Sequence, residues 1–424
     1  MTSKDGGQPR PSCSDDFDPT TLRAEDAARR IEALVSPVTE YERVAVRSAL
    51  DRTLAKDVYS TVNVPAHTNS AMDGYALRSA DLPADGSRAT LKVIGTAWAG
   101  RPYHGSAKGK QCVRIMTGAK MPDGLDTVIM QEQVECVDDT ILIGSGHKPG
   151  QNVRQAGEDL AVGAVAVSAG TRIDPAELGL FASLGVAEVE VARRLRVAFF
   201  STGDELRSIG EPLAEGEIYD SNRYTLHGML TRLGVELLDM GVIADQREAI
   251  GDAFRRAASM ADVIITTGGV SVGEADYVKE ILVETGTVDF WKLAIKPGRP
   301  LAFGTVRDAF FFGLPGNPVA VMVTFYEFVQ PALRRMMGQQ GLRPARFRVP
   351  CRSRLKKRPG RMEFQRGLLQ VADNGSLSVS RTGAQGSGML SSMSSANCFI
   401  ILPTDSGSVE PGDMVDVEPF EGLV

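Results

Sequence analysis

The chain is expected to fold as several domains, an α/β domain with a largely parallel sheet set among β-rich modules. Three observations predict this. From residue 196 onward strand-like and helix-like segments alternate; over about 67–149 short strand-like runs crowd together between prolines; from about 339 the chain returns to β texture. At 424 residues there is room for about two to four domains.

Taken in order, MTSKDGGQPRPSCSDD (1–16) has no apolar core; it reads as a disordered tail and not as a signal peptide. TLRAEDAARRIEAL (21–34) places Leu22, Ala28, Ile31 and Leu34 near one helical face. Residues 17–66 and 150–190 are expected to form a discontinuous, elongated linking and dimerisation domain around the β-rich module at 67–149. TLKVIG, QCVRIMTG and DTVIMQEQVEC read as strands of that module.

In the α/β domain, 191–338, RVAFFST (196–202) is a buried-strand pattern ending in GDE. SNRYTLHGMLTRL (221–233) is helical, with Leu226, Met229, Leu230 and Leu233 on one face and Asp220 or Ser221 as its cap. VELLDMGVI is a strand, QREAIGDAFRRAASM a helix, DVIITT a strand, DYVKEILVE a helix and AFFFG a strand. LPGNP then opens a long helix, with Asn317 as cap and Pro318 at its first position. In the C-terminal β domain, 339–424, Asp373-Asn374-Gly375 separates two alternating runs and signals a hairpin.

Composition narrows the function. The chain is 43% hydrophobic and 24% charged, an ordinary globular balance. Its formal net charge of −6 argues against general nucleic-acid binding. The five cysteines are scattered without a CxxC, so neither a zinc site nor a disulfide framework is indicated and a reducing compartment fits. No apolar run reaches the roughly 18 residues that suggest a membrane span. The expected location is cytoplasmic.

The most informative local stretch is TTGGVSVGEADY (266–277), which follows an apolar strand. Gly269 to Gly273 matches the G-x-S-x-G of a nucleophile elbow, but that arrangement needs a histidine later in the chain. All four histidines (His67, His104, His147, His227) precede Ser271. No phosphate-loop or dinucleotide fingerprint occurs either. What remains is a backbone nest for an anion, with Gly268 and Gly269 baring amides and Ser271 donating a hydrogen bond, or else a tight turn with Asp276 as a helix cap. Gly203, Asp204 and Glu205, then Asp220, Asp245 and the GLPGNP loop with Pro315 and Pro318, also follow strands or precede helices. In a doubly wound sheet such loops gather at one edge. The loops supply Asp204, Glu205, Asp220, Asp245 and Asp276; clustered carboxylates repel unless a cation joins them, and hard oxygen donors suit Mg²⁺. WKLAIKPGRP supplies Lys292, Lys296 and Arg299 for an anion. Acids, a divalent ion and lysines together form an inventory for phosphoryl chemistry.

These residues bring a family with them. NSAMDGYA, RIMTGA, VRQAGED, FSTGDEL, IYDSNRY, TTGGVSVGEADY, FWKLAIKPGRP, GLPGNP, GRMEFQRG and QGSGMLSSM occur in order between about residues 20 and 424. The set resembles the MoeA family, molybdopterin molybdenumtransferases, related to the C-terminal part of gephyrin. The resemblance implies insertion of molybdate into adenylylated molybdopterin, with Mg²⁺-dependent cleavage of the phosphoanhydride and release of AMP, and with Asp220, Asp245 and Asp276 as neighbours of the ion. It implies an adenylyltransferase-like α/β domain, a barrel-like C-terminal β domain and an elongated homodimer. Asp73 and Thr117 would then face Glu205 across the subunit boundary. It makes Asp159, Asp276, Lys292 and Lys296 further catalytic candidates. Arg154, Glu158, Arg299, Arg366 and Ser387 become substrate contacts. A molybdopterin adenylyltransferase and the maturation proteins of molybdenum enzymes would be partners, with neither nucleic acid nor membrane involved. Read without the family, MDGYA is a β-turn and TGA a strand end. Arg299 stands where the family commonly has lysine, which keeps the charge and changes its geometry. Two other readings stay open: the preceding adenylylation step, and a non-catalytic scaffold or binding module.

Overall fold

A computed structural model describes residues 21–269, 277–340 and 344–420. The expected tail at 1–16, Ser271 and Asp276 lie outside the described residues. The chain divides into two compact units, one of residues 43–191 and a larger one that joins the segment before 43 to everything from 192 onward.

The smaller unit is built on a six-stranded mixed sheet in the order Thr127–Met130, Gly74–Leu77, Gln111–Ile115, Ala89–Ala97, Thr140–Ile143, Val134–Val137. Alternating residues fill two cores, Val113, Ile115 and Val128 on one face and Leu91, Cys112 and Ile129 on the other. A separate core gathers Leu54, Val167, Ile173, Phe181 and Val191 around the helix Pro175–Ser183. That helix opens with a capping box in which Asp174 and Glu177 exchange side-chain and backbone bonds.

The larger unit contains the alternating segments. Its six-stranded sheet runs Glu236–Ile243, Arg196–Thr202, Val263–Thr267, Ala309–Leu314, Pro300–Val306, Gly286–Lys292. The first four strands are parallel, and the last two are antiparallel to their neighbours. Val197, Phe199, Ile265 and Phe312 face Leu226, Met229 and Leu230 of the helix Ser221–Leu233 and Val319 of a later helix. Ala198, Phe200, Ile264 and Phe311 face Ile250, Phe254 and Ala257 of Arg247–Met260 and Ile281 and Leu282 of Tyr277–Thr285. With both faces covered, every position of the central strands is apolar or small, so they read as unbroken hydrophobic runs.

Two local expectations are corrected here. The helix Ala24–Leu34 buries Ala24, Ala27 and Ile31, while Leu34 is exposed. It packs into the core of the larger unit with Leu195 and Met336. Asn317 does sit at the cap position of the helix after LPGNP, but its side chain makes no capping bond. That helix runs Pro318–Thr324, passes through a π-helical turn at Phe325–Val329 and continues as Gln330–Met336.

A second six-stranded sheet of the larger unit runs Ile295–Lys296, Met362–Val371, Cys398–Leu402, Met414–Pro419, Phe347–Pro350, with Leu377–Arg381 paired to Met362–Val371. The hairpin expected at Asp373-Asn374-Gly375 joins those last two strands, with Gly375 at φ +80°. A parallel bridge between Cys351 and Val379 links Leu377–Arg381 to the segment following Phe347–Pro350.

A buried ion cluster ties this sheet to the π-helical turn. Arg346 donates from its Nε to Glu418 at 2.7 Å and from its Nη2 to Glu327 at 2.9 Å. The side chains of Glu327 and Glu418 are 10% and 4% exposed. One guanidinium cannot neutralise two buried carboxylates, so burial and the charge of Glu418 raise the Glu327 carboxyl to about 8. The folded state therefore keeps a proton that an unfolded glutamate releases near 4.5. The linked stability is full at acid pH and is lost as pH climbs towards about 8, with a slope of up to about 1.4 kcal/mol per pH unit. Urea unfolding across that range should show this loss, and Glu327→Gln should flatten it. An unchanged slope in the variant would remove Glu327 as its source.

Candidate functional site

In the larger unit the parallel strands stop level with one another. Ladder partners at their carboxyl ends are Thr202 with Ile243, Ser201 with Thr267, and Thr267 with Leu314. The antiparallel strands begin and end at that same edge, since Lys292 pairs with Pro300 and Ala302 with Gly313. The acid-bearing loops and the lysine loop thus leave one edge of one sheet. From Arg196–Thr202 to Gly286–Lys292 is four strand spacings, roughly 19 Å at about 4.8 Å each. Such a span suits an extended ligand better than a lone ion.

The loops interlock. The Asp245 amide donates to Asp204 Oδ1 at 3.1 Å. The Gly268 amide donates to the Leu314 carbonyl at 3.3 Å. Gly268 has φ +85°, and a Cβ there would stand 2.7 Å from the Thr202 carbonyl oxygen, so no other residue fits without displacing backbone. Gly269 likewise has φ +63° and is crowded by Val278. Asn222 donates from Nδ2 to the Gly316 carbonyl at 2.7 Å, binding the start of one helix to the loop that carries Pro315 and Pro318.

The acids at this edge differ in state. Asp220 caps the helix Ser221–Leu233, as its position in the sequence suggested, with Oδ1 accepting from the Arg223 amide at 3.1 Å. Its carboxylate is buried, and Oδ2 has no hydrogen-bond partner. Burial first, then the charges of Asp204 and Glu205, push the Asp245 carboxyl up. The unpartnered oxygen of Asp220 and the mutually repelling carboxylates of Asp204, Glu205 and Asp245 are hard oxygen donors of the kind a divalent cation takes. Among the described residues no group of three or more acids, histidines or cysteines is assembled to hold a metal. The third acid of the expected set, Asp276, is outside them.

Across the edge, the segment 293–299 is held by the Leu293 amide on the Arg299 carbonyl at 2.6 Å and by a parallel pairing of Ile295 and Lys296 with Met362 and Glu363. Lys292 is exposed, and Lys296 reaches Glu363 at 3.4 Å. Arg366, a substrate contact by the family resemblance, lies buried. It is 1% exposed and spends its donors on Ser392 Oγ at 3.0 Å and on the carbonyls of Gly386 and Ala384 at 3.1 and 3.4 Å. Desolvation brings its pKa down to about 10, so it stays a cation at neutral pH. Its role is to hold the loop around Ser387, whose carbonyl in turn accepts from the Val319 amide at 3.1 Å. Glu363, Gln365 and Asn222 escaped the sequence reading, although the first two lie inside GRMEFQRG.

The smaller unit gathers a second group. Thr117 donates both its amide and its hydroxyl to Asp73 Oδ1, each at 2.7 Å. Arg154 pairs with Asn69, just before the turn that carries Asp73. Gln155 donates its amide to Glu158 Oε2 at 2.8 Å, and the Asp159 amide bonds the Val64 carbonyl. The hydroxyl bond, then the amide bond, hold the Asp73 carboxyl below the usual range. It is an exposed, ionised acid with a fixed direction.

Three family profiles cover most of the chain: the MoeA N-terminal region (domain I and II) at 22–185, a probable molybdopterin binding domain at 198–335 and the MoeA C-terminal region (domain IV) at 348–420. A molybdopterin molybdenumtransferase from Haemophilus influenzae is 45% identical over 399 residues, spanning 94% of this chain and 98% of that protein. One from a Nostoc species is 36% identical over 88% of this chain and 87% of its own length. Gephyrin from Dictyostelium discoideum is 33% identical over 89% of this chain and 59% of its own. A crystal structure of a molybdopterin biosynthesis moeA protein from Pyrococcus horikoshii superposes with a TM-score of 0.82 at 28% identity, covering 94% of this chain and all of that one. Another from that organism gives 0.76 at 31% identity, covering 95% of this chain and all of that one.

Thr117→Val removes the hydroxyl donor to Asp73 and leaves the amide bond. Carboxyl-carbon NMR titration should show the Asp73 pKa rising towards the ordinary value. If it stays where it is in the parent, the hydroxyl is not what lowers it.

Proposed function

The chain belongs to the MoeA family of molybdopterin molybdenumtransferases, transferases of molybdenum cofactor biosynthesis, and from that premise we propose that it inserts molybdate into adenylylated molybdopterin. In this reading the phosphoanhydride is cleaved, AMP leaves, and the dithiolene sulfurs of the substrate receive the molybdenum. The observation that carries the proposal is the shared sheet edge, with acids and glycine turns on one side and the lysine loop on the other, about the length of an extended substrate apart.

The Gly269 amide lies at the end of a parallel strand, where a nucleotide phosphate is expected to dock, whereas the Gly268 amide is taken by the Leu314 carbonyl and serves to shape the turn. Ser271 is assigned a hydrogen-bond donor's part there. Asp220 and Asp245, with Asp276, would hold Mg²⁺, which supplies charge neutralisation to the phosphoanhydride. Lys292, Lys296 and the Arg366-held loop at Ser387 offer positive charge and donors to the molybdate dianion. The dithiolene brings its own sulfur, so a cysteine pair is not required of the protein. Asp73 and Thr117 are assigned to the site of the partner subunit in a homodimer.

The test is AMP release from adenylylated molybdopterin and Mg²⁺, with and without molybdate. Molybdate-dependent release is expected, and Lys296→Ala should cost about 10²-fold in that step. Turnover of ATP with free molybdopterin would make this the preceding adenylyltransferase. Tight binding without release under either condition would make it a scaffold. Subunit sharing has its own check: inactive Asp73→Asn mixed with inactive Glu205→Ala should recover activity once exchange is proven, and persistent inactivity would refute a shared site.

A further inference from the structure

Lys296 of the lysine loop meets a buried carboxylate, that of Glu363, at 3.4 Å. Its side chain is 54% exposed, whereas that of Glu363 is 8% exposed. The two are fixed opposite one another by backbone, because Lys296 pairs with Glu363 in a parallel ladder and the Met362 amide donates to the Ala294 carbonyl at 2.9 Å. The carboxylate itself is fixed from behind. Gln365 donates from Nε2 to Glu363 Oε2 at 3.1 Å and to the Lys356 carbonyl at 3.3 Å. The nearby ammonium of Lys357 is already committed to the carbonyls of Arg358, Thr404 and Ser406 at 3.2, 3.2 and 2.9 Å. Glu363 therefore presents one oxygen, Oε1, outward to Lys296.

We infer that Glu363 serves as an internal counter-anion for Lys296, one with which an incoming tetrahedral oxyanion must compete. The inference rests on the anion-binding part assigned to Lys296 above. Two effects oppose each other in this arrangement. The carboxylate keeps the ammonium in place, which favours binding, and it repels a dianion and occupies the ammonium, which disfavours it. The ladder and the Leu293–Arg299 bond hold the segment without the side-chain contact, and a contact at 3.4 Å to a half-exposed lysine orders it only weakly. Competition is the larger effect. Lys296 remains a reversible anion contact that gives up a dianion on turnover.

The experiment is calorimetric titration of the full chain with sodium molybdate at fixed ionic strength. Glu363→Gln keeps the shape and the bond from Gln365, and should tighten molybdate binding about tenfold, the order expected when one unit charge is removed beside a dianion. Lys296→Ala should weaken binding. In the double variant the gain from Glu363→Gln should shrink to half or less, because it acts through Lys296. If Glu363→Gln fails to fold, Glu363→Asp draws the carboxylate back by one methylene and should give an intermediate tightening. Unchanged or weaker binding in the Glu363 variants, or a gain that persists undiminished without Lys296, overturns the inference. Lys296→Ala binding molybdate as well as the parent would instead sink the anion reading of the loop, and this inference with it. Weaker binding in Lys296→Ala alongside no gain in Glu363→Gln sinks the counter-anion role alone.

Discussion

Everything at the candidate site depends on where four parallel strands end. The ladder that sets Thr202 beside Ile243, Ser201 beside Thr267 and Thr267 beside Leu314 fixes the level at which the chain leaves the sheet. A slip of one residue in any of them would turn Phe199, Ile265 or Phe312 away from its own core, so the apolar packing on both faces enforces that register. The loops inherit their positions from it. Gly268 can approach the Thr202 carbonyl because their strands are neighbours, and Asp245 can reach Asp204 for the same reason.

The second sheet contributes by capturing part of the first. Ile295 and Lys296 leave the α/β sheet at its edge and pair at once with Met362 and Glu363. Arg366, two residues beyond Phe364 of the apolar core, draws the loop around Ser387 towards the start of the helix Pro318–Thr324. One strand, Met362–Val371, thereby sets both the lysine and the serine loop.

Legibility in the sequence followed the physics of burial. The central strands were readable because both of their faces are covered, and the helices Ser221–Leu233 and Arg247–Met260 because their apolar stripes are regular. Of the face expected for the first helix, Leu22, Ala28 and Ile31 do pack against the core and only Leu34 points away; Ala24 and Ala27 were missed because alanine barely registers in a hydrophobic pattern. The acids were readable as loop residues after strands, but their assembly needed the strand order, which local pattern does not contain. Within GRMEFQRG, Glu363, Gln365 and Arg366 are all buried, and the contacts of Glu363 with Lys296 and of Arg366 with Ser392 join residues far apart in the chain, which no local rule identifies.

The burial of Arg366 also sets how the surface around it responds to its medium. Exposed ammonium groups such as that of Lys292 lose their reach when electrolyte crowds in, since mobile ions screen them over about 8–10 Å. A guanidinium enclosed in protein is shielded far less, and its field passes outward through the carbonyls it has turned inward at Ala384 and Gly386. Added electrolyte should therefore weaken the contribution of Arg366 to the serine loop less than that of the exposed lysines on the other side of the same edge.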